Sequence, residues 1–282
     1  MPGSEARHYA PMLIHSNIDP VAIRLGPLAV HWYGLMYLLG FYGFWKLGAR
    51  RARMPHVVWP VQRVSDLLFY GVLGVIIGGR VGYTLFYNLP RFLADPLLVL
   101  RLWEGGMSFH GGLLGVIASM LVFARRHGIE FFEIADFTAV LVPFGLFTGR
   151  VGNFINGELW GKPTELPWGV VFRTAGGAVR RHPSQLYEAL LEGLVLLAIL
   201  WWFGRTPRPR MAISGVFLLC YAVFRFMVEF VRLPDAQIGY LAWGWVTEGQ
   251  ILCVPMFAGG GLLLSLAYKK NRQQSPATQR AR

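Results

Sequence analysis

An arginine, two asparagines and a glutamate (Arg150, Asn153, Asn156, Glu158) stand in TGRVGNFINGELWG (Thr148–Gly161), directly after the apolar run FTAVLVPFGLF (Phe137–Phe147). On a helix, Arg150, Asn153 and Gly157 share one face, and Gly145, Gly149, Gly152 and Asn156 form a neighbouring face of small residues. The small face predicts close approach of another helix, and Pro143 predicts a bend below it. A guanidinium fork matches phosphate oxygens, so the polar face suits an anion. It equally suits an arginine that only caps carbonyls of its neighbours. A second polar set, Tyr221, Arg225 and Glu229, recurs every four residues, with Arg232 just beyond. These charges either serve a ligand or neutralise one another. His110, in GGMSFHGGLLG, can exchange a proton near neutral pH. A lone histidine on an apolar helix is also an ordinary core residue, but the glycines on both sides favour a site. Tyr33, in HWYGLMY, fits either the site or an aromatic interface belt. RHPSQLYE brings His182, Gln185 and Glu188 to the start of a later apolar run.

No GxSxG elbow, HExxH pair or phosphate-binding loop is present. Cys220 and Cys253 lie inside apolar runs, without metal-binding spacing or a disulfide framework. The expectation is a site without metal or cofactor, built for an anionic substrate that arrives in a membrane. An anionic phospholipid fits, because its tails need a bilayer and its phosphate needs arginine. These residues leave three classes open: an enzyme, a transporter or scramblase of anionic lipid, and a structural or lipid-binding protein whose charges only pair internally.

The elements that must carry these groups are apolar. Of 282 residues 54% are hydrophobic and 15% charged, well below the usual quarter for soluble domains. Candidate spans lie at Pro27–Leu47, Leu67–Tyr87, Met107–Phe123, Phe137–Asn156, Leu186–Phe203, Ile213–Phe230 and Trp245–Ala267, each near the length a bilayer needs. Fold class is thus an all-α integral membrane protein with about seven transmembrane helices in one domain (1–282). Lys46, Arg50, Arg51, Arg53 and Arg63, then Arg125 and Arg126, then Arg205, Arg208 and Arg210, then Lys269, Lys270, Arg272, Arg280 and Arg282 fall in alternate loops. By the positive-inside rule the N-terminus lies outside and the C-terminus in the cytoplasm. The net charge of +12 is then a topology signal, with anionic membrane lipids as neighbours and no nucleic acid. The first 26 residues hold no apolar signal-peptide core, so the first span is expected to stay as an uncleaved anchor. Arg80, Arg150 and Arg225 fall within spans, where a charge costs at least about 2.5 kcal/mol and is normally kept for function or pairing. All three are expected in the outward half, able to meet in one layer. The segment 157–184 is expected to form a small extracytoplasmic cap that receives a peptide.

GRVGNFINGELWG (Gly149–Gly161) resembles the signature of the prolipoprotein diacylglyceryl transferases. So do HWYGLMY, GGRVGYTLFYN (Gly78–Asn88), GGMSFHGGLLG, RHPSQLYE and FRFMVEFVRLPDAQIG (Phe224–Gly239), in the family's order. The resemblance implies a seven-helix enzyme of the bacterial cytoplasmic (inner) membrane, multi-pass, with its active site towards the periplasm. It would move the diacylglyceryl group of phosphatidylglycerol onto the lipobox cysteine of a prolipoprotein, forming a thioether and releasing glycerol phosphate. The nucleophilic thiol would belong to the substrate. Implied catalytic residues are His110, as candidate base, with Arg150, Arg225 and Tyr33. Implied substrate-binding residues are Arg150, Asn153, Asn156, Glu158, Glu229, Arg232 and Gly161.

Overall fold

The computed structural model describes residues 13–26, 28–57, 59–234 and 238–274. Part of one motif (residues 235–237), Pro27 at the start of the first expected span, and the basic residues Arg280 and Arg282 lie outside them. The chain is mostly helical. Its principal helices are α1 (Trp32–Ala52), α2 (Val61–Tyr87), α3 (Leu89–Ala94), α4 (Phe109–His127), α5 (Phe131–Ala139), α6 (Val142–Ile155), α7 (Ser184–Glu188), α8 (Leu196–Phe203), α9 (Ala212–Glu229) and α10 (Glu248–Gln274). A π-helical segment, Ala189–Val195, joins α7 to α8, so Ser184–Phe203 is one continuous rod.

Among the described residues, four helices are long and apolar enough to cross a membrane: α2, Ser184–Phe203, α9 and α10. The pair α5 and α6 makes a fifth if it is counted as one broken span, bent by 47°. Pro143 stands at the start of α6 and cannot donate a backbone hydrogen bond, which accounts for the break. Expected spans at α1 and α4 are helices but fall short of this test. Trp, Tyr, Gly and a lysine dilute α1, while His110, three glycines and two arginines dilute α4. Only 17–39% of the four apolar windows is buried by the protein. Side chains such as Phe69, Phe86, Trp202 and Val254 point outward, 61–79% exposed. A surface this apolar requires lipid rather than water.

Two expectations are corrected. The fold is not all helix: β2 (Val21–Leu25) and β3 (Leu28–His31) form an antiparallel hairpin, and β1 (Leu13–Ile14), β4 (Val170–Val171) and β5 (Arg180–Arg181) form a second small sheet in the order β1-β4-β5. The first helix therefore begins at Trp32 rather than Pro27. Gly26, at φ +61°, turns the chain, and β3 pairs back on β2 before the helix starts. The last helix likewise begins at Glu248, because the preceding residues close a turn through an Ala242–Val246 bridge.

Small residues set the helix contacts. A Cβ on Gly78 of α2 would lie 2.7 Å from the Gly115 Cα of α4, and one on Gly82 would lie 2.7 Å from the Gly111 Cα. The two backbones touch, as expected for small-xxx-small packing. The glycines that follow His110 thus serve the contact with α2, which removes them as evidence for a site there.

Arg80 does not meet Arg150 and Arg225. Its guanidinium is 2% exposed and donates to the carbonyls of Leu98 (2.5 Å), Val99 (3.2 Å), Arg101 (2.7 Å), Gly106 (3.3 Å) and Gly105. It gathers the chain between α3 and α4 onto α2. Arg80→Leu is expected to lose at least about 3 kcal/mol of stability, since several buried carbonyls lose a charged donor together. Thermal unfolding with limited proteolysis of residues 95–107 checks this; an unchanged midpoint would contradict the role.

Candidate active site

The α6 helix ends where its sequence turns polar. Asn156 is the C-cap, and Gly157 takes the left-handed conformation (φ +64°) that glycine adopts without strain. The chain doubles back, so that the Glu158 amide donates to the Asn153 carbonyl at 3.0 Å. This turn lets the Glu158 carboxylate accept from Asn153 Nδ2 at 2.9 Å and Asn156 Nδ2 at 3.4 Å. Arg150 donates to Asn153 Oδ1 at 3.4 Å. Ser184 and Gln185, at the start of α7, pin the turn by donating to the Leu159 carbonyl (2.9 Å) and the Glu158 carbonyl (2.5 Å).

Glu188 joins the two polar sets seen in the sequence. It is 2% exposed and forms ion pairs with Arg150 Nε (2.5 Å), Arg225 (3.4 Å) and Arg232 (3.2 Å). Arg225 also pairs with Glu229 at 2.5 Å, and approaches Glu192 at 3.9 Å. Glu229 accepts from the Thr247 hydroxyl at 2.6 Å. A Cβ on Gly249 would meet the Glu229 carboxylate at 2.5 Å, so a side chain there would push that carboxylate aside. Three arginines and three glutamates from α6, α7, the π segment, α9 and the chain three residues beyond it thus form one network.

Arg150 and Asn153 reach from this network into an apolar cavity of about 370 Å³ between α1, α2, α4 and α6, which Tyr33 also lines. Tyr37, Phe41, Val72, Val75 and Phe109 line its walls. Gly145 and Gly149 also face it, and a Cβ on either would meet nothing within 4 Å. The face packs on α1 at its two ends, as expected, and leaves room at Gly149. A Cβ on Gly152 would meet Tyr33 and Met36 at 3.1 and 3.3 Å, and one on Gly40 would lie 3.5 Å from the Gly145 Cα. The glycines create space, and Arg150 closes its polar end.

The remaining expected residues sit as follows. Arg225 and Arg232 lie behind Arg150 and are not among the cavity's lining residues. His110 is exposed on the first turn of α4, with its ring 5.6 Å from that of Phe109. Gly161 is a crossing point: its amide donates to the His182 carbonyl at 2.9 Å, it bridges Arg232, and a Cβ there would come 2.5 Å from the Val231 carbonyl. Burial first, and then the Lys162 charge, lower the His182 pKa from its ordinary imidazole value. Glu188 was named in the sequence only as part of a motif, and Glu192 not at all. Their signal was present: two carboxylates four residues apart in a strongly apolar segment are costly unless paired.

The sequence model of one protein family, described as prolipoprotein diacylglyceryl transferase, matches residues 20–266. The chain belongs to that family. Relatives named phosphatidylglycerol–prolipoprotein diacylglyceryl transferase include one from Azotobacter vinelandii, 60% identical over 259 residues, covering 92% of this chain and 98% of that protein. Those from Ectopseudomonas mendocina (57%) and Pseudomonas aeruginosa PAO1 (56%) match over 266 residues, 94% of this chain and the whole of each relative. The six blocks quoted from the sequence all fall within the matched region, and five of them supply residues to the network or cavity just described.

Proposed function

We propose that this protein transfers the diacylglyceryl group of phosphatidylglycerol to the lipobox cysteine of a prolipoprotein, the first step of bacterial lipoprotein maturation. The observation that carries the proposal is the joining of an apolar cavity to a guanidinium held by a buried carboxylate, Arg150 on Glu188. The cavity suits acyl chain, and the Arg150 end suits phosphate. In the reaction the prolipoprotein thiol loses its proton, and its sulfur bonds to the glycerol carbon that carries the phosphate. The C–O bond to phosphate breaks, its electron pair goes to the phosphate oxygen, and glycerol phosphate leaves. An unperturbed thiol ionises near ~8.5, so a base is required at neutral pH. His110 takes that role, one residue from the cavity-lining Phe109. Arg150 stabilises the charge gathering on the leaving phosphate, the form of catalysis that contributes most in a dry site. Arg225 and Arg232 act through Glu188, and Glu229 holds Arg225. Asn153, Asn156, Glu158 and Tyr33 bind head-group oxygens or orient Arg150, and Gly161 keeps the 157–184 cap close to Arg232.

The topology proposed with this activity has seven crossings: α1, α2, α4, the α5–α6 pair, Ser184–Phe203, α9 and α10. The N-terminus lies outside and the C-terminus in the cytoplasm of a bacterial inner membrane. Support comes from the basic segments after α1, at the α8–α9 turn and at the end of α10, which converge on one end of the bundle, opposite the arginine–glutamate network.

A mass assay tests the activity. Purified protein in detergent is mixed with phosphatidylglycerol and a peptide holding one lipobox cysteine. The expected products are the diacylglyceryl adduct on the peptide and free glycerol phosphate. No adduct under conditions where the lipid binds would move the lipid-transporter reading to the front. Gly149→Leu is expected to fold normally, because open space awaits the side chain, and to raise KM for phosphatidylglycerol at least about tenfold by filling the cavity. Unchanged lipid kinetics in that variant would remove the cavity as the acyl site.

A further inference from the structure

The reaction just described leaves one buried acid unused. Glu192 lies in the π-helical segment, one turn after Glu188, and its side chain is fully buried. Neither carboxylate oxygen has a hydrogen-bond partner among the described residues. A Cβ on the next residue, Gly193, would lie 2.6 Å from the Phe147 Cβ, so the π segment is pressed against α6 and holds Glu192 inside the bundle. Segments of this kind recur where a side chain must be placed for function. The charged and titratable groups that face Glu192 come from each neighbouring element: Arg150 from α6, Glu188 from α7, Tyr221 and Arg225 from α9, Arg232 from the chain beyond it, and Cys253 from α10.

The arginines are already taken up by the other two glutamates. Arg225 gives Nη2 to Glu229 at 2.5 Å and Nη1 to Glu188 at 3.4 Å. Arg150 and Arg232 reach Glu188 at 2.5 and 3.2 Å. Glu192 has only Arg225 Nη1 at 3.9 Å, beyond hydrogen-bond distance and on the same nitrogen that serves Glu188. A carboxylate without hydrogen bonds is far costlier to bury than a neutral carboxyl group, and two carboxylates on one nitrogen do not both ionise readily. The charge count points the same way. With all three glutamates ionised, the three arginines are cancelled and the network offers a phosphate no net charge. With Glu192 neutral, one positive charge remains, the complement of one phosphodiester anion. The fourth carboxylate nearby, Glu158, is exposed and held by the Asn153 and Asn156 amides.

We propose that Glu192 is a positioning residue that holds the one proton of the Glu188–Glu192 pair. Its neutrality leaves Glu188 ionised to orient Arg150, and leaves the network one positive charge for the phosphate. The inference rests on the transfer reaction proposed above and adds to it the source of that charge. The proton stays on Glu192 throughout, and no bond to substrate forms there. Where Glu188 is made neutral instead, Glu192 ionises in its place against the same arginines.

The test uses the purified full chain in detergent. Infrared spectroscopy reads the proton directly, as the carbonyl stretch of a protonated carboxyl group that shifts on exchange into deuterated water. The band is expected in the wild type and is expected to be lost in Glu192→Gln. Glu192→Gln keeps a neutral group of the same shape, so its transfer activity should fall by less than about tenfold, against roughly 10²-fold or more for the same substitution at Glu188. A wild-type spectrum without the band, a band that survives Glu192→Gln, or a transfer loss in Glu192→Gln as large as in Glu188→Gln would each overturn the proposal. Failure of Glu192→Gln to fold would overturn it too, because it would show that the site needs the charge. A wild type that forms no adduct sinks the transfer reaction and not the proton: the band, present and lost in Glu192→Gln or not, then decides the assignment alone.

Discussion

Arg150→Lys is expected to keep the fold and to lose transfer activity by roughly 10²–10³-fold, the usual effect of removing one preorganised donor from a developing oxyanion. Arg150 Nε is committed to Glu188 at 2.5 Å and one terminal nitrogen to Asn153 at 3.4 Å. Those two contacts aim the planar group at the cavity. A lysine ammonium has the charge but neither the plane nor the separate nitrogens, so it cannot hold Glu188 and Asn153 and present a donor to phosphate at once. Most of the loss should appear in kcat rather than KM, because the charge on the leaving oxygen develops only as the C–O bond breaks. Steady-state transfer to a lipobox peptide, with circular dichroism to check folding, gives both numbers. Full activity in Arg150→Lys would show that a point charge suffices and would end the argument for a guanidinium fork.

Glu188→Gln should have the largest combined effect, on stability as well as on activity. Glu188 is 2% exposed and neutralises parts of three arginines whose side chains are 12–20% exposed. Removing its charge leaves Arg150, Arg225 and Arg232 against only Glu192 and Glu229. Breaking a buried pair by deleting one partner costs about 3–5 kcal/mol, since the remaining charge stays buried without compensation. Activity is expected to fall as far as in Arg150→Lys, because Arg150 loses the contact that fixes its angle. Adding Arg232→Gln to Glu188→Gln restores the charge balance and should recover part of the stability but little of the activity. Thermal unfolding and transfer measured on the same three samples separate the two effects. Wild-type behaviour in Glu188→Gln would mean that Arg150 is positioned by Asn153 alone.

The polar residues were legible because the surrounding sequence is so apolar. Arg150, Asn153, Asn156 and Glu158 stand out in an apolar run, and the structure does bring them into one hydrogen-bonded set. Pro143 announced the bend that divides α5 from α6. Arg225 and Glu229, four residues apart, pair across one turn as their spacing implies. Each of these features is local: a residue type, a helical period, a ring that cannot donate a hydrogen bond.

What sequence spacing could not decide was which small residues pack and which leave room. Gly78 and Gly115 bring two backbones into contact, whereas Gly149 faces an open cavity. Both patterns repeat every four residues or nearly so, and only the neighbour across the gap distinguishes them. The same holds for the arginines. Arg80 turns to five backbone carbonyls of the chain after α3, while Arg150, Arg225 and Arg232 converge on Glu188 from another helix. By itself the sequence determined that a membrane-embedded chain carries polar groups costly enough to need a purpose, and through its motifs to which family it belongs. Only the tertiary structure decided the partners, because a charge buried in low dielectric is held by whatever opposite charge or carbonyl the packing brings within a few ångströms, and that distance is not written along the chain.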